Sequence, residues 1–424
     1  MILPNSETRS FTGNRLQYVG GPRDNIIEEP IGHGTYQDLF GLRVCVGLFL
    51  PLSLNDRPNH TLLVLDSPDD VARPRRLVVH DSQVVRKPDC RTKRKDIAFL
   101  KVHKCGSTTV SNILQRFGLR NNLNFVLPNK ADGKQFWVLG RVDNLKSTDI
   151  IGLPPGEVYN ILSVDTIFDS KAYRKLIPNN AFLLAIVREP VDRFISKDFY
   201  EHRGEELVKR YGDDPYVYAH LTNNSTEEVS AILSMSLDFG LSHLQRYKDD
   251  KIAQTLSHVD REFDFVMVME QFDESLVLLK RKLCWETKDI VYIIRNVHFW
   301  DARAFALGPK HRQTIANIQK ADVRIYEHFR RKLEKEILAS GLEFSNEVHN
   351  FKIILRLVMD FCTHSYGPEV LTIPQSTWNE EFTIDREECE LMELSEFPLV
   401  KMLQKRQREK LDIESNTEKI TNQE

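Results

Sequence analysis

Two unbroken apolar runs, each followed by a short polar turn and then by helical periodicity, constrain this chain more than any other feature. The first is Ile97-Ala98-Phe99-Leu100; a polar stretch over 101–107 follows, and then Val110, Ile113, Leu114 and Phe117 recur at helical spacing. The second is residues 181–187, after which Arg188-Glu189-Pro190 turns the chain into a helical pattern over 191–200, with proline near the first turn, where its missing N–H is harmless. A strand with one wet face would alternate. These do not, so both faces are covered, as in a parallel sheet between helical layers. Residues 263–269 read as a third such strand. The fold class is therefore α/β, with a central, mainly parallel sheet flanked by helices. Further helices are predicted over 227–239, 275–283 and 321–338, the last with Ile325, Phe329, Leu333 and Ile337 on one stripe. Gly118 is expected to cap the helix that starts near Thr108.

A chain of 424 residues, 41% of them hydrophobic, can bury the core of one large catalytic domain with appendages. Three regions are expected: a variable N-terminal segment over 1–95, a catalytic domain over 96–411, and a polar tail over 412–424, with a frayed helix and tail from Lys405 onward. The N-terminal segment closes on nine Arg or Lys against two Asp over 72–95, which read as a solvated tether. A formal net charge of -3 provides no general field for nucleic acid, so any anion site must be built locally. Six dispersed cysteines, at 45, 90, 105, 284, 362 and 389, lack the close pair that a zinc ribbon or a CxxC redox site requires, and no metal is predicted. Three disulfides are arithmetically available. Asn59, Asn223 and Asn224 head N-glycosylation sequons. The apolar run over 44–54 is about half the roughly 20 residues of a membrane span and holds Pro51, so it does not read as an anchor.

Residues 101–109, Lys-Val-His-Lys-Cys-Gly-Ser-Thr-Thr, lie between a strand and a helix, where free backbone amides and the helix dipole make an anion pocket. A nucleotide P-loop has lysine after its second glycine. Here Lys104 precedes the segment's only glycine, Gly106, so an ATPase or kinase is a poor match. The order leaves Cys105, Gly106, Ser107, Thr108 and Thr109 to wrap a 5′-phosphosulfate while Lys104 sits over the bridging oxygen; the plainer alternative is a helix cap. In residues 188–196, Arg-Glu-Pro-Val-Asp-Arg-Phe-Ile-Ser, Arg188 ends a strand and Ser196 follows about two helical turns later, so both can reach one phosphate. The planar fork of arginine suits a 3′-phosphate, which ATP lacks. Arg193 reads as a surface ion-pair partner.

These two segments resemble the donor-binding motifs of sulfotransferases. Phe99-Leu-Lys-Val-His-Lys-Cys-Gly-Ser-Thr-Thr109, Asn112-Ile-Leu-Gln-Arg-Phe-Gly118, Ile186-Val-Arg-Glu-Pro-Val-Asp-Arg-Phe194, Phe272-Asp-Glu-Ser-Leu-Val-Leu-Leu-Lys280 and Leu283-Cys-Trp285 together resemble the galactose-3-O-sulfotransferase family over about 96–411. The resemblance implies a P-loop-like sulfotransferase fold and 3′-phosphoadenosine 5′-phosphosulfate as co-substrate. It also implies a terminal galactose on glycolipid (galactosylceramide-like) or glycoprotein as acceptor at its 3-hydroxyl, and a Golgi membrane, lumen-facing location of type II.

One departure bears on the catalytic base. Where the family shows histidine near Tyr159-Asn160-Ile161-Leu162, this chain reads Ser163-Val-Asp-Thr-Ile-Phe168, with Asp165 in the histidine's place. His103 and Asp165 are both candidates. An ordinary imidazole pKa near 6.5 lies closer to working pH than a carboxylate's near 4, which favours His103, and the alternative is that His103 only shapes the loop. A donor- or glycan-binding relative with weak turnover is the rival of a different class, and a P-loop kinase or nucleotidase a more distant one.

Overall fold

The computed structural model describes residues 90, 92–130, 138–142, 145–200, 234–242, 244–294, 309–364 and 368–421. The three sequons, the apolar run over 44–54, Cys45, most of the basic run and the start of the helix expected over 227–239 lie outside the described residues.

Strands β1 (Ile97–Leu100), β2 (Val138–Arg141), β3 (Ile161–Leu162), β4 (Asp165–Ile167), β5 (Phe182–Val187) and β6 (Phe265–Val268) precede a C-terminal hairpin of β7 (Val370–Ile373) and β8 (Phe382–Asp385). Strands β3, β1, β5 and β6 form the central sheet in that order, and every pairing in it is parallel. Every residue of β1, β5 and β6 is buried, as non-alternating apolar runs require. The register sets Leu100 beside Ala185 and Val187 beside Val268, so the carboxyl ends of these three strands lie along one edge.

The helices are α1 (Ser107–Arg120), α2 (Ser170–Leu176), α3 (Pro190–Tyr200), α4 (Met235–Asp238), α5 (Asp249–Glu262), α6 (Phe272–Leu283), α7 (Thr287–Ile290), α8 (Pro309–Ile318), α9 (Lys320–Thr363), α10 (Arg386–Glu393) and α11 (Glu396–Thr421). None of the described helices is long and apolar enough to cross a membrane. Ile325, Phe329 and Leu333 are buried, as their stripe predicts, but α9 runs on well past residue 338, broken only at Gly341, where φ is 68°.

Two expectations are corrected. Gly118 does not cap α1, which runs on to Arg120; a Cβ at 118 would lie 2.3 Å from the Phe125 ring and 2.8 Å from Ile161, so the glycine lets the helix press against the neighbouring strand. The chain does not fray at Lys405 either. Residues 405–411 belong to α11, whose buried Gln407 accepts from the Phe125 N–H at 3.0 Å and donates to the Phe125 carbonyl at 3.0 Å, while Gln404 donates to the Pro128 carbonyl at 2.8 Å. The helix expected there is present, and over 405–411 it is held rather than frayed, because its amides satisfy strand-like backbone elsewhere.

Four of the six cysteines pair, as Cys90–Cys284 and Cys362–Cys389, and Cys105 is a buried free thiol.

Candidate functional site

From β1 the chain passes through α1 to reach β3 on one side, whereas from β5 it passes through α3 to reach β6 on the other. The connections of the adjacent strands β1 and β5 therefore part in opposite directions, and a crevice opens outside their carboxyl ends, the place where open α/β sheets take ligands. Residues 101–106 and 188–190 flank it.

The 101–106 loop is curled by left-handed backbone at Lys104 (φ 62°) and Gly106 (φ 77°). Gly106 is obligatory on two counts, because a Cβ there would also lie 2.4 Å from the Met269 sulfur. It is the N-cap of α1, a helix with no side-chain cap and no acidic residue in its first turn, so the amides that follow face no competing carboxylate there. Ser107 is buried, Thr109 half-buried and Thr108 exposed. The Cys105 thiol is wholly buried against the Met235 sulfur at 3.9 Å, and burial pushes its pKa up, so this residue offers backbone rather than a thiolate. Arg188 comes directly to the loop, its Nη1 donating to the Lys104 carbonyl at 3.2 Å. Ser196 is half-buried on α3, six residues after Pro190 and about 9 Å along the axis.

Just beyond the end of β1, His103 is held twice by Asp238. Its backbone N–H donates to Oδ2 at 3.0 Å, and its Nδ1 lies 2.9 Å from Oδ1. The Asp238 side chain is 5% exposed and the imidazole 45%. The charge of Asp238 outweighs burial and raises the His103 pKa above the ordinary 6.5. Because the carboxylate can only accept, Nδ1 carries the N–H directed at it, and in the neutral imidazole Nε2 then holds the lone pair, the arrangement of an oriented general base.

Asp165 is engaged differently. Its Oδ1 is 2.8 Å from Lys101 Nζ, which also meets Glu396 Oε2 at 2.9 Å. Burial alone would depress the Lys101 pKa; the two carboxylates more than offset it and hold the ammonium above its usual value. Burial raises Glu396 above the usual carboxylate range. Arg193 is not on the surface. It is fully buried, with Nη2 3.4 Å from Asp322 Oδ2 and 3.3 Å from Gln319 Oε1, because its side chain points under α3 towards α9. Asp238, Glu396 and Asp322 were missed in the sequence, where no motif marks them, and Lys101 lies within the donor segment without its ion-pairing role being readable there.

Comparison with known proteins shows which family the sequence resembles. The sequence model of the galactose-3-O-sulfotransferases matches residues 41–367. Galactosylceramide sulfotransferase of Bos taurus is 30% identical over 263 residues, 59% of either chain. Galactose-3-O-sulfotransferase 2 of Homo sapiens is 31% identical over 288 residues, 64% of this chain and 69% of its own, and that of Mus musculus is 28% identical over 292 residues, 65% and 72%. The matched stretch thus spans about three-fifths to seven-tenths of these relatives.

Proposed function

Because this chain belongs to the galactose-3-O-sulfotransferase family, we propose that it transfers a sulfuryl group from 3′-phosphoadenosine 5′-phosphosulfate to the 3-hydroxyl of a terminal galactose on a glycolipid or glycoprotein glycan. The observation that carries the reading is the adjacency of two opposite tools: His103, oriented by Asp238, and Lys104, beside the open N-terminus of α1. Sulfuryl transfer needs both. His103 Nε2 takes the acceptor's hydroxyl proton while the sulfur–oxygen bond to that hydroxyl forms. The bond from sulfur to the donor's phosphate oxygen breaks, and Lys104 with the Ser107 and Thr108 amides neutralises the charge left there. Arg188 and Ser196 hold the 3′-phosphate, which separates this donor from ATP. Asp165, tied to Lys101, serves the site's electrostatics rather than proton removal.

A second reading, a donor- or glycan-binding relative with weak turnover, is favoured by that same burial of Asp165 in an ion pair. Labelled-sulfate transfer over galactolipids, lactosides and mucin-type glycans tests the pair: label on the galactose 3-oxygen supports the enzyme, and donor binding with little or no label on any acceptor supports the rival. The two disulfides support residence in an oxidising compartment, in keeping with a lumen-facing Golgi enzyme. Glycosidase treatment of the protein made in animal cells tests that location, since a Golgi enzyme with occupied sequons shifts on a gel and an unglycosylated cytosolic protein does not.

A further inference from the structure

The carboxylate that holds His103 is itself held by a buried network that nothing in the donor motifs requires. Helix α4 is a single turn, Met235–Asp238, with Asp238 as its last residue. Its N-terminal end is fixed from outside by Asp322, near the start of α9. Asp322 Oδ2 accepts from the Met235 N–H at 2.6 Å, and Oδ1 accepts from the Ser236 N–H at 2.8 Å and from the Ser234 hydroxyl at 2.9 Å. The other side of Asp322 faces Arg193, on the helix that carries Ser196 and follows Arg188. All of these groups are buried: Asp322 is 1% exposed, Arg193 0%, Ser236 0% and Asp238 4%. The Arg193 Nε and Nη1 have no hydrogen-bond partner, so Asp322 and Gln319 are its partners among the described residues.

From these contacts we infer that Asp322 is a positioning residue for the base: by clamping the turn that ends at Asp238, it fixes the direction of the His103 imidazole and links that direction, through Arg193, to the 3′-phosphate helix. The inference rests on His103 being the base. A single turn of helix is too short to hold itself in one place, since helices of this length are not stable alone. Three charge-assisted hydrogen bonds to one carboxylate give it a fixed seat, each stronger than a neutral pair. Arg193, Asp322, the α4 turn, Asp238 and His103 thus form a continuous run of polar contacts, buried up to Asp238.

The test separates positioning from mere support by reading the pH profile of kcat, since loss of stability alone leaves the titration of the base where it was. The charged groups facing His103 are Asp238 from α4, Asp165 from β4, Lys101 from the end of β1 and, through Lys101, Glu396 from α11. Of these, Asp322→Asn disturbs only Asp238. In Asp238→Asn the acid limb of the profile should move down towards the ordinary imidazole value, with kcat reduced about tenfold or more. Asp322→Asn should move the limb in the same direction by less, and the double variant should be no worse than Asp238→Asn alone, because the two act in series. Affinity for adenosine 3′,5′-bisphosphate should stay within about twofold of the parent's in all three. If Asp322→Asn does not fold, Ser234→Ala removes one of the three bonds and should give the same signature at smaller amplitude. An unmoved limb in Asp322→Asn or its substitute, beside a moved limb in Asp238→Asn, overturns the positioning role. An unmoved limb in Asp238→Asn removes His103 as base, and the positioning role with it.

Discussion

The two halves of the crevice are built in opposite ways. The donor half is local: Lys104, Gly106 and the first turn of α1 are contiguous, Arg188 follows β5 directly, and the fold only needs to bring two strand ends together. The base half is distributed. His103 meets Asp238 across 135 residues, and Asp238 owes its place to Asp322 on a third segment. Backbone amides at a helix end grip a phosphate wherever the helix starts, so such a site tolerates variation elsewhere. A base works only within narrow limits of angle and pKa, and those limits must be imposed by packing.

The comparison sharpens or breaks on substitutions in each half. His103→Ala should carry the largest effect, a loss of about 10²- to 10⁴-fold in kcat with donor affinity nearly kept, measured by steady-state kinetics beside calorimetry. A matching loss of donor affinity would merge the halves. Gly106→Ala should weaken adenosine 3′,5′-bisphosphate binding by about tenfold or more, because the new Cβ meets Met269 as well as an unfavourable φ. Gly140→Ala is its control, with a φ of 67° but open space around the added carbon, and should leave binding unchanged. Asp165→Asn should lower the unfolding free energy by about 1–3 kcal/mol, since Lys101 loses one of two buried partners, yet change kcat by less than about tenfold. A larger loss of kcat than His103→Ala suffers would make Asp165 the base. The smallest effect is in the parent protein. A base must be neutral to act, and Asp238 raises the His103 pKa, so kcat should stay depressed through pH 6.5 and level off only above the raised value. An acid limb centred below 6.5 would contradict that pairing.

The same contrast explains what could be read from the sequence. Strands β1, β5 and β6 were visible because burial on both faces leaves nothing but apolar side chains, and the donor loop was visible because its chemistry is contiguous. Gly118 was misread because its role is to admit the Phe125 ring, a contact that no local rule contains. The helix over 405–411 reads as frayed from sequence because Gln404 and Gln407 are buried for their hydrogen bonds and not for apolarity. Arg193 was taken for a surface residue since arginine is almost never fully buried without a partner, and its partner lies 129 positions away by sequence numbering, at Asp322. Asp238 sits in a segment with no motif at all.

Titration of the parent and of Arg188→Ala with adenosine 3′,5′-bisphosphate and with AMP, by calorimetry, tests the donor half of the crevice most directly. The parent should prefer the bisphosphate, and Arg188→Ala should weaken the bisphosphate at least about tenfold, the effect of losing a charged hydrogen-bonding partner worth about 1.5–3 kcal/mol, while AMP binding barely changes. Equal weakening of both nucleotides, or a parent that does not distinguish them, would contradict the assignment of Arg188 to a 3′-phosphate and with it the account of the site.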